Sequence, residues 1–214
     1  TFLFCQLFLS NQANFGGEAV MTDLTSEALP LDAKKAVFFD RDGVLNKDKD
    51  YLYRIEELEW IEGAREAVAY LTHLGYCIFV VTNQSGIARG YYKEEDMQRL
   101  HEHMAREIAA AGGEITRFYY CPHLIGAKIK RYDVDCDCRK PKPGLLYQAM
   151  AEYAIDKDNS FLIGDKQRDI EAAEAAGIKG YLYVKGSLLT CVKAIVNTSD
   201  GAGKMSAHKG LEQV

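Results

Sequence analysis

The run YCIFVV at residues 76–81 constrains this chain more than any other stretch. An unbroken apolar run has no wet face, so a strand made from it must be covered on both sides, as strands are inside a parallel sheet. Further strands are expected at Ala36–Phe39, at RFYY (117–120), within SFLIGD (160–165) and at GYLYV (180–184). The segments between them change period. Ala64, Ala67, Val68, Leu71 and Leu74 fall at helical spacing in residues 62–74. So do Met97, Leu100, Met104, Ile108 and Ala111 in residues 94–111, where Gly112-Gly113 stops the pattern. Pro143 suits a first helical turn, with Leu146, Ala149, Met150 and Tyr153 as the stripe behind it. DIEAAEAAGI supplies a last helix closed by Gly177. Strands alternating with helices imply an α/β fold with a doubly wound parallel sheet.

At 214 residues the chain fits one well-cored domain and leaves no large insertion for a separate cap. Its net charge of −5 argues against a nucleic-acid or anionic-membrane surface. No window holds the ~18 apolar residues of a membrane span. TFLFCQLFLS at the start is apolar, but no basic segment precedes it and no convincing cleavage site follows, so a secretory signal is not the reading. Residues 1–34 are expected to be an extension, poorly ordered or artefactual. The folded domain is expected over 35–196, and a polar, frayed tail over 197–214. The six cysteines read as reduced thiols, with a metal where they cluster, and the chain as a cytoplasmic monomer.

Open α/β sheets bind ligands beyond the carboxyl ends of their strands. The polar residues there are Asp40 and Asp42, Thr82 and Asn83, and Asp165 and Lys166, which should converge on one crevice. In Asp40-Arg41-Asp42-Gly43 one carboxylate can attack phosphorus while the other moves protons. Asp165 completes a set of hard oxygen donors suited to Mg²⁺. Thr82 can donate to phosphoryl oxygens, and Lys140 can offset their charge. Taken singly, DxDG also reads as a solvated turn, and Thr82-Asn83 or the Asp165–Asp169 spacing as helix caps. Together, at successive strand ends, they point to phosphoryl transfer.

Cys121-x-His123 and, after twelve residues, Cys136-x-Cys138 offer three thiolates and an imidazole, a composition suited to tetrahedral Zn²⁺. The spacing is tighter than in common zinc fingers, and a buried or disulfide-linked loop is the alternative. Four protein ligands would leave no open position, so such a zinc would be structural. Lys128, Lys130 and Arg131 in the intervening loop could attract an anion or simply be solvated.

FFDRDGVLN, VVTNQSGIARG, CRKPKPG and FLIGDKQRDIEAA resemble, in order, the four motifs of the haloacid-dehalogenase-like phosphatases, over roughly residues 35–190. The zinc-containing branch is the most similar, its heptose-bisphosphate members more so than its histidinol-phosphate members. The separating features are TNQSGIARG and the longer LNKDKDYLYRIEELEWIEG. That resemblance implies a Rossmannoid fold and removal of the 7-phosphate of a heptose 1,7-bisphosphate, with a product that feeds a surface glycan such as lipopolysaccharide. A histidinol-phosphate or broad sugar-phosphate phosphatase is the same-fold alternative. A catalytically silent zinc-stapled module is a third, opposed by the intact acids.

By the resemblance, Asp40 is the nucleophile and Asp42 the general acid/base. Mg²⁺ takes the carboxylates of Asp40 and Asp165 and the backbone carbonyl of Asp42. Thr82 and Lys140 stabilise the phosphoryl group, and Arg139 and Lys166 recognise substrate. Asp48, Lys49, Asp50 and Tyr51, with Asn83, Gln84 and Ser85, match substrate-contacting segments, although Asp50 stands where a small residue is expected. Arg89 is consistent with a second phosphate or with a plain surface charge.

Overall fold

The computed structural model describes residues 33–205, with side chains to residue 198. Expectations for residues 1–32 and 206–214, Cys5 included, lie outside the described residues. Five parallel strands form one sheet in the order β3-β2-β1-β4-β5. They are β1 (Ala36–Phe39), β2 (Cys77–Asn83), β3 (Arg117–Cys121), β4 (Phe161–Gly164) and β5 (Lys179–Leu182). The doubly wound parallel α/β architecture read from the sequence is the one observed.

The helices cover both faces, which is why the central strands can be apolar throughout. On one face α1 (Ala64–His73), α3 (Glu94–Ala110) and α6 (Leu188–Met205) meet Val37, Phe39, Ile78 and Val80. On the other, α4 (Gly144–Glu152) and α5 (Gln167–Ala176) meet Ala36, Phe38, Phe79 and Val81. Alternate residues of one strand thus feed two separate cores. Leu71, Leu100, Met104 and Ile108 are fully buried in the first. Truncating any one of them to Ala should cost about 2–5 kcal/mol.

Three segments depart from the sequence expectation. The short helix α2 (Ser85–Arg89) forms directly after β2. Helix α6 runs through position 196 to Met205, so its backbone continues where a polar tail was expected. Its Leu188, Val192, Ile195 and Val196 fill the first core, and this apolar spacing explains the helix. Strand β5 ends at Leu182, and the Tyr183 amide instead donates to the Gly164 carbonyl at 2.7 Å. At the other boundary, Lys34 already pairs in parallel with Ile155.

Register sets the site. Phe39 lies opposite both Val80 and Ile163, so β1 ends one residue short of β4 while β2 runs on to Asn83. The Asp40 amide donates to the Ile163 carbonyl at 3.0 Å. A third cluster of Ile87, Ala88, Tyr92, Met97, Ala127 and Tyr132 packs α2 and the 121–138 loop against each other.

Candidate active site and metal centre

Asp40 leaves β1 almost fully buried, and its neighbour Gly43 makes the turn close on itself. Gly43 has φ +87°, and a Cβ there would lie 2.3 Å from Asp165 Oδ2. Only glycine fits such a backbone against a carboxylate. Asp165 directly follows β4, and Asp169 lies in the first turn of α5, which touches the strand end at Gly164. A Cβ on Gly164 would lie 2.2 Å from Asp169 Cβ. Oxygens of Asp40, Asp165 and Asp169 come within 4.8 Å of one another, a group that could hold a metal ion. Asp165 Oδ1 is buried and has no hydrogen-bond partner, while its Oδ2 pairs with Lys166 Nζ at 2.8 Å. A buried carboxylate oxygen without a donor is costly unless a cation faces it, so the donor set fits a hard divalent ion.

Lys140 is the counter-charge. Its Nζ lies 3.0 Å from Asp40 Oδ1 and 2.7 Å from Asp169 Oδ1, and donates to the Val81 carbonyl at 2.7 Å. Asn83 fixes its backbone from both sides. The Asn83 Nδ2 donates to the Lys140 carbonyl at 3.0 Å, and the Lys140 amide donates to Asn83 Oδ1 at 3.1 Å. Burial pushes Asp40 up to about 6, against the opposing charge of Lys140 and with Asp169 and Asp42 adding to the rise.

The Asp42 carboxylate lies outside the metal-capable group. It accepts from Arg41, from Asn46 Nδ2 at 2.9 Å and from Gln84 Nε2 at 2.9 Å. Gln84 Nε2 also reaches Thr82 Oγ1 at 2.8 Å, and Gln84 Oε1 accepts from the Tyr92 hydroxyl. Thr82 and Gln84 are both buried at the end of β2. The expected substrate contacts Asn83 and Gln84 therefore place Lys140 and Asp42 through their side chains. Ser85 follows as the first residue of α2.

The 48–51 segment lies on the surface. Lys49 pairs with Glu59. Asp50 and Tyr51 hold left-handed φ values of 49° and 68°. Tyr51 meets Tyr91 edge-on at 4.9 Å, with the Arg89 guanidinium 5.8 Å from its ring. Asp48 contributes, after Asp165, to raising the Lys166 ammonium.

The four cysteine-loop ligand candidates come together. Cys136 Sγ lies 3.5 Å from Cys121 Sγ and 3.2 Å from Cys138 Sγ, and His123 Nδ1 lies 3.3 Å from Cys138 Sγ. These separations exceed a disulfide bond of about 2.05 Å, and the thiols are free. The group could hold a metal ion. The neighbouring Cys121 sulfur, then burial, push the Cys138 thiol up, a situation that a bound cation reverses. The far end of the loop is tied separately, since Glu94 accepts from the hydroxyls of Tyr120 and Tyr132. Arg139 Nη1 donates to the His123 carbonyl at 3.3 Å, joining this centre to the residue before Lys140.

Sequence reasoning gave no site role to Asp169, Arg41 or Asn46. The Asp165–Asp169 spacing was the available signal for the first. It also reads as a cap, and Asp169 does cap α5, accepting from the Lys166 amide at 3.0 Å. Arg41 was visible only as the middle of DRDG.

A family profile described as HAD-hydrolase-like matches residues 137–194. D-glycero-β-D-manno-heptose-1,7-bisphosphate 7-phosphatase from Pasteurella multocida is 47% identical over 152 residues, 71% of this chain and 82% of that protein. The chain belongs to the heptose-1,7-bisphosphate 7-phosphatase family. A member from Campylobacter jejuni named for the α anomer is 46% identical over 150 residues, covering 70% and 82% of the two chains. A solved member, D,D-heptose 1,7-bisphosphate phosphatase from B. bronchiseptica complexed with magnesium and phosphate, superposes with a TM-score of 0.68 at 29% identity. It covers 77% of this chain and 99% of its own. No helix among the described residues is long and apolar enough to cross a membrane.

Proposed function

We propose that this chain is a Mg²⁺-dependent phosphoric monoester hydrolase. It removes the 7-phosphate of D-glycero-D-manno-heptose 1,7-bisphosphate and leaves heptose 1-phosphate. The convergence of Asp40, Asp165, Asp169 and Lys140 at the strand ends carries the reading, in a chain 47% identical to a relative named for that reaction. Relatives named for the β and α anomers match almost equally, so the proposal covers both.

In this reading an Asp40 oxygen attacks phosphorus, the bond to the sugar oxygen breaks, and an aspartyl phosphate forms. Asp42 gives its proton to the departing alkoxide and then takes one from the water that hydrolyses the intermediate. Lys140 and the Thr82 hydroxyl offset charge on the phosphoryl oxygens. The carboxylates of Asp40 and Asp165 and the carbonyl of Asp42 would hold Mg²⁺, and the unpartnered Asp165 Oδ1 supports this. Bound there, the ion would neutralise charge between nucleophile and phosphoryl oxygens. Asp169 holds Lys140 from behind.

Arg139, Lys166, Asp48–Tyr51 and Ser85 are assigned to the sugar phosphate, Asn83 and Gln84 to placing the groups that touch it. Cys121, His123, Cys136 and Cys138 would hold a structural Zn²⁺, the metal that a sulfur-rich closed set favours. The free thiols support a cytoplasmic setting, and we take the enzyme to be a monomer. The test is phosphate release from the bisphosphate with Mg²⁺. One equivalent should appear, with the 1-phosphate retained; release of neither, or of the anomeric phosphate first, contradicts the reading.

A further inference from the structure

Arg41 is fully buried between the two acids of DRDG. Its guanidinium donates to both Asp42 oxygens, at 3.0 and 2.9 Å from Nη2. Nη2 also reaches the Leu52 carbonyl at 2.8 Å, directly after the 48–51 segment. On its other side Nη1 lies 3.1 Å from His101 Nε2. A guanidinium can only donate, so His101 Nε2 accepts and the ring is the neutral tautomer protonated on Nδ1. Burial, then the Arg41 charge, hold His101 well below the ordinary imidazole range, which agrees with that form. The imidazole is itself stacked on Phe118 of β3, centroids 4.4 Å apart at 15°. His101 belongs to α3, so a rigid helix and a strand fix the acceptor that Arg41 requires.

We propose that His101 is a positioning residue. It anchors Arg41, and Arg41 holds the Asp42 carboxylate where it can reach the leaving oxygen. The inference rests on the assignment of proton transfer to Asp42. Asp42 has other donors, Asn46 and Gln84, but among the described residues Arg41 alone grips both of its oxygens. Without an acceptor at position 101, the Arg41 fork loses one of its three fixed points, and a buried N–H is left unpaired. The fork is then free to turn toward another acceptor, taking Asp42 with it.

The experiment follows kcat/KM under single-turnover conditions for aryl phosphates whose leaving phenols range from strongly to weakly acidic. A well-placed proton donor matters little for 4-nitrophenyl phosphate and much for phenyl phosphate. His101→Phe keeps the ring and its stack but has no acceptor, whereas His101→Gln can place its amide oxygen where Nε2 stood. His101→Phe should lose about tenfold or more on phenyl phosphate and less than about threefold on 4-nitrophenyl phosphate, with His101→Gln close to wild type on both. A uniform loss along the series, or no loss, overturns the proposal. Asp42→Asn runs alongside and should steepen the same dependence. If it does not, the reading of Asp42 fails, whatever His101 does. Should His101→Phe not fold, His101→Leu, also without an acceptor, takes its place under the same criteria.

Discussion

The ammonium of Lys140 stands 3.0 Å from Asp40 Oδ1, both side chains almost wholly excluded from water. With Asp169 on its other flank, one buried cation serves two buried carboxylates. Lys140→Ala removes the one positive side chain among the described residues that ion-pairs with either. Loss of one partner from a buried ion pair typically costs about 3–5 kcal/mol. At this size that is a fall in Tm of more than about 6 °C. Since the proposed mechanism also sets Lys140 against the phosphoryl group, kcat should drop about 10²–10³-fold. Calorimetry and steady-state kinetics on one preparation check both, and an unchanged Tm contradicts the buried-pair account.

Asp40 titrates in the folded chain near 6, above the ordinary aspartate value of 3.8. The fold thus binds this proton more tightly than the unfolded chain does. The stability it contributes is complete below about 3.8 and is lost as pH rises through about 6. A divalent ion must displace the same proton. Mg²⁺ affinity should therefore climb by up to about tenfold per pH unit below 6 and level off above it. Isothermal titration across that range measures it, and a flat profile contradicts the assignment of Asp40 to the cation.

Gly43→Ala would force a Cβ into Asp165 Oδ2, at a φ that L side chains avoid. Asp165 must shift, and Mg²⁺ affinity should fall about 10–100-fold with the zinc content unchanged. Metal titration of the variant decides; undiminished Mg²⁺ binding would show that Gly43 does not set the position of Asp165.

These residues show where the sequence could be read and where it could not. Strands and helices were legible because burial imposes a period, and the 36–39 and 161–164 runs could be little else. The placement of Asp40, Thr82 and Asp165 was legible because each stands at the carboxyl end of a strand. Asp169 was ambiguous, since one carboxylate caps α5 through Oδ2 and pairs with Lys140 through Oδ1. Asn83 and Gln84 matched substrate segments, yet nothing in their identity shows that their amides turn inward. The Arg41–His101 contact spans 60 residues and has no local signature. Helix α6 was missed because its polar end obscured the apolar stripe of Leu188, Val192, Ile195 and Val196.

Cys136→Ser removes the sulfur that lies close to both Cys121 and Cys138. Zinc stoichiometry should fall from one toward zero, and Tm by at least about 5 °C, because metal-binding energy is folding energy in such loops. Activity should fall with it, since the centre adjoins Arg139 and Lys140. Elemental analysis of the purified variant checks the ligand set, and full zinc retention contradicts it.

The measurement that bears most directly on the central claim is kcat/KM with Mg²⁺ on D-glycero-D-manno-heptose 1,7-bisphosphate beside histidinol phosphate. The account predicts that the bisphosphate is preferred by about 10²-fold or more. Equal turnover, or preference for histidinol phosphate, would contradict it.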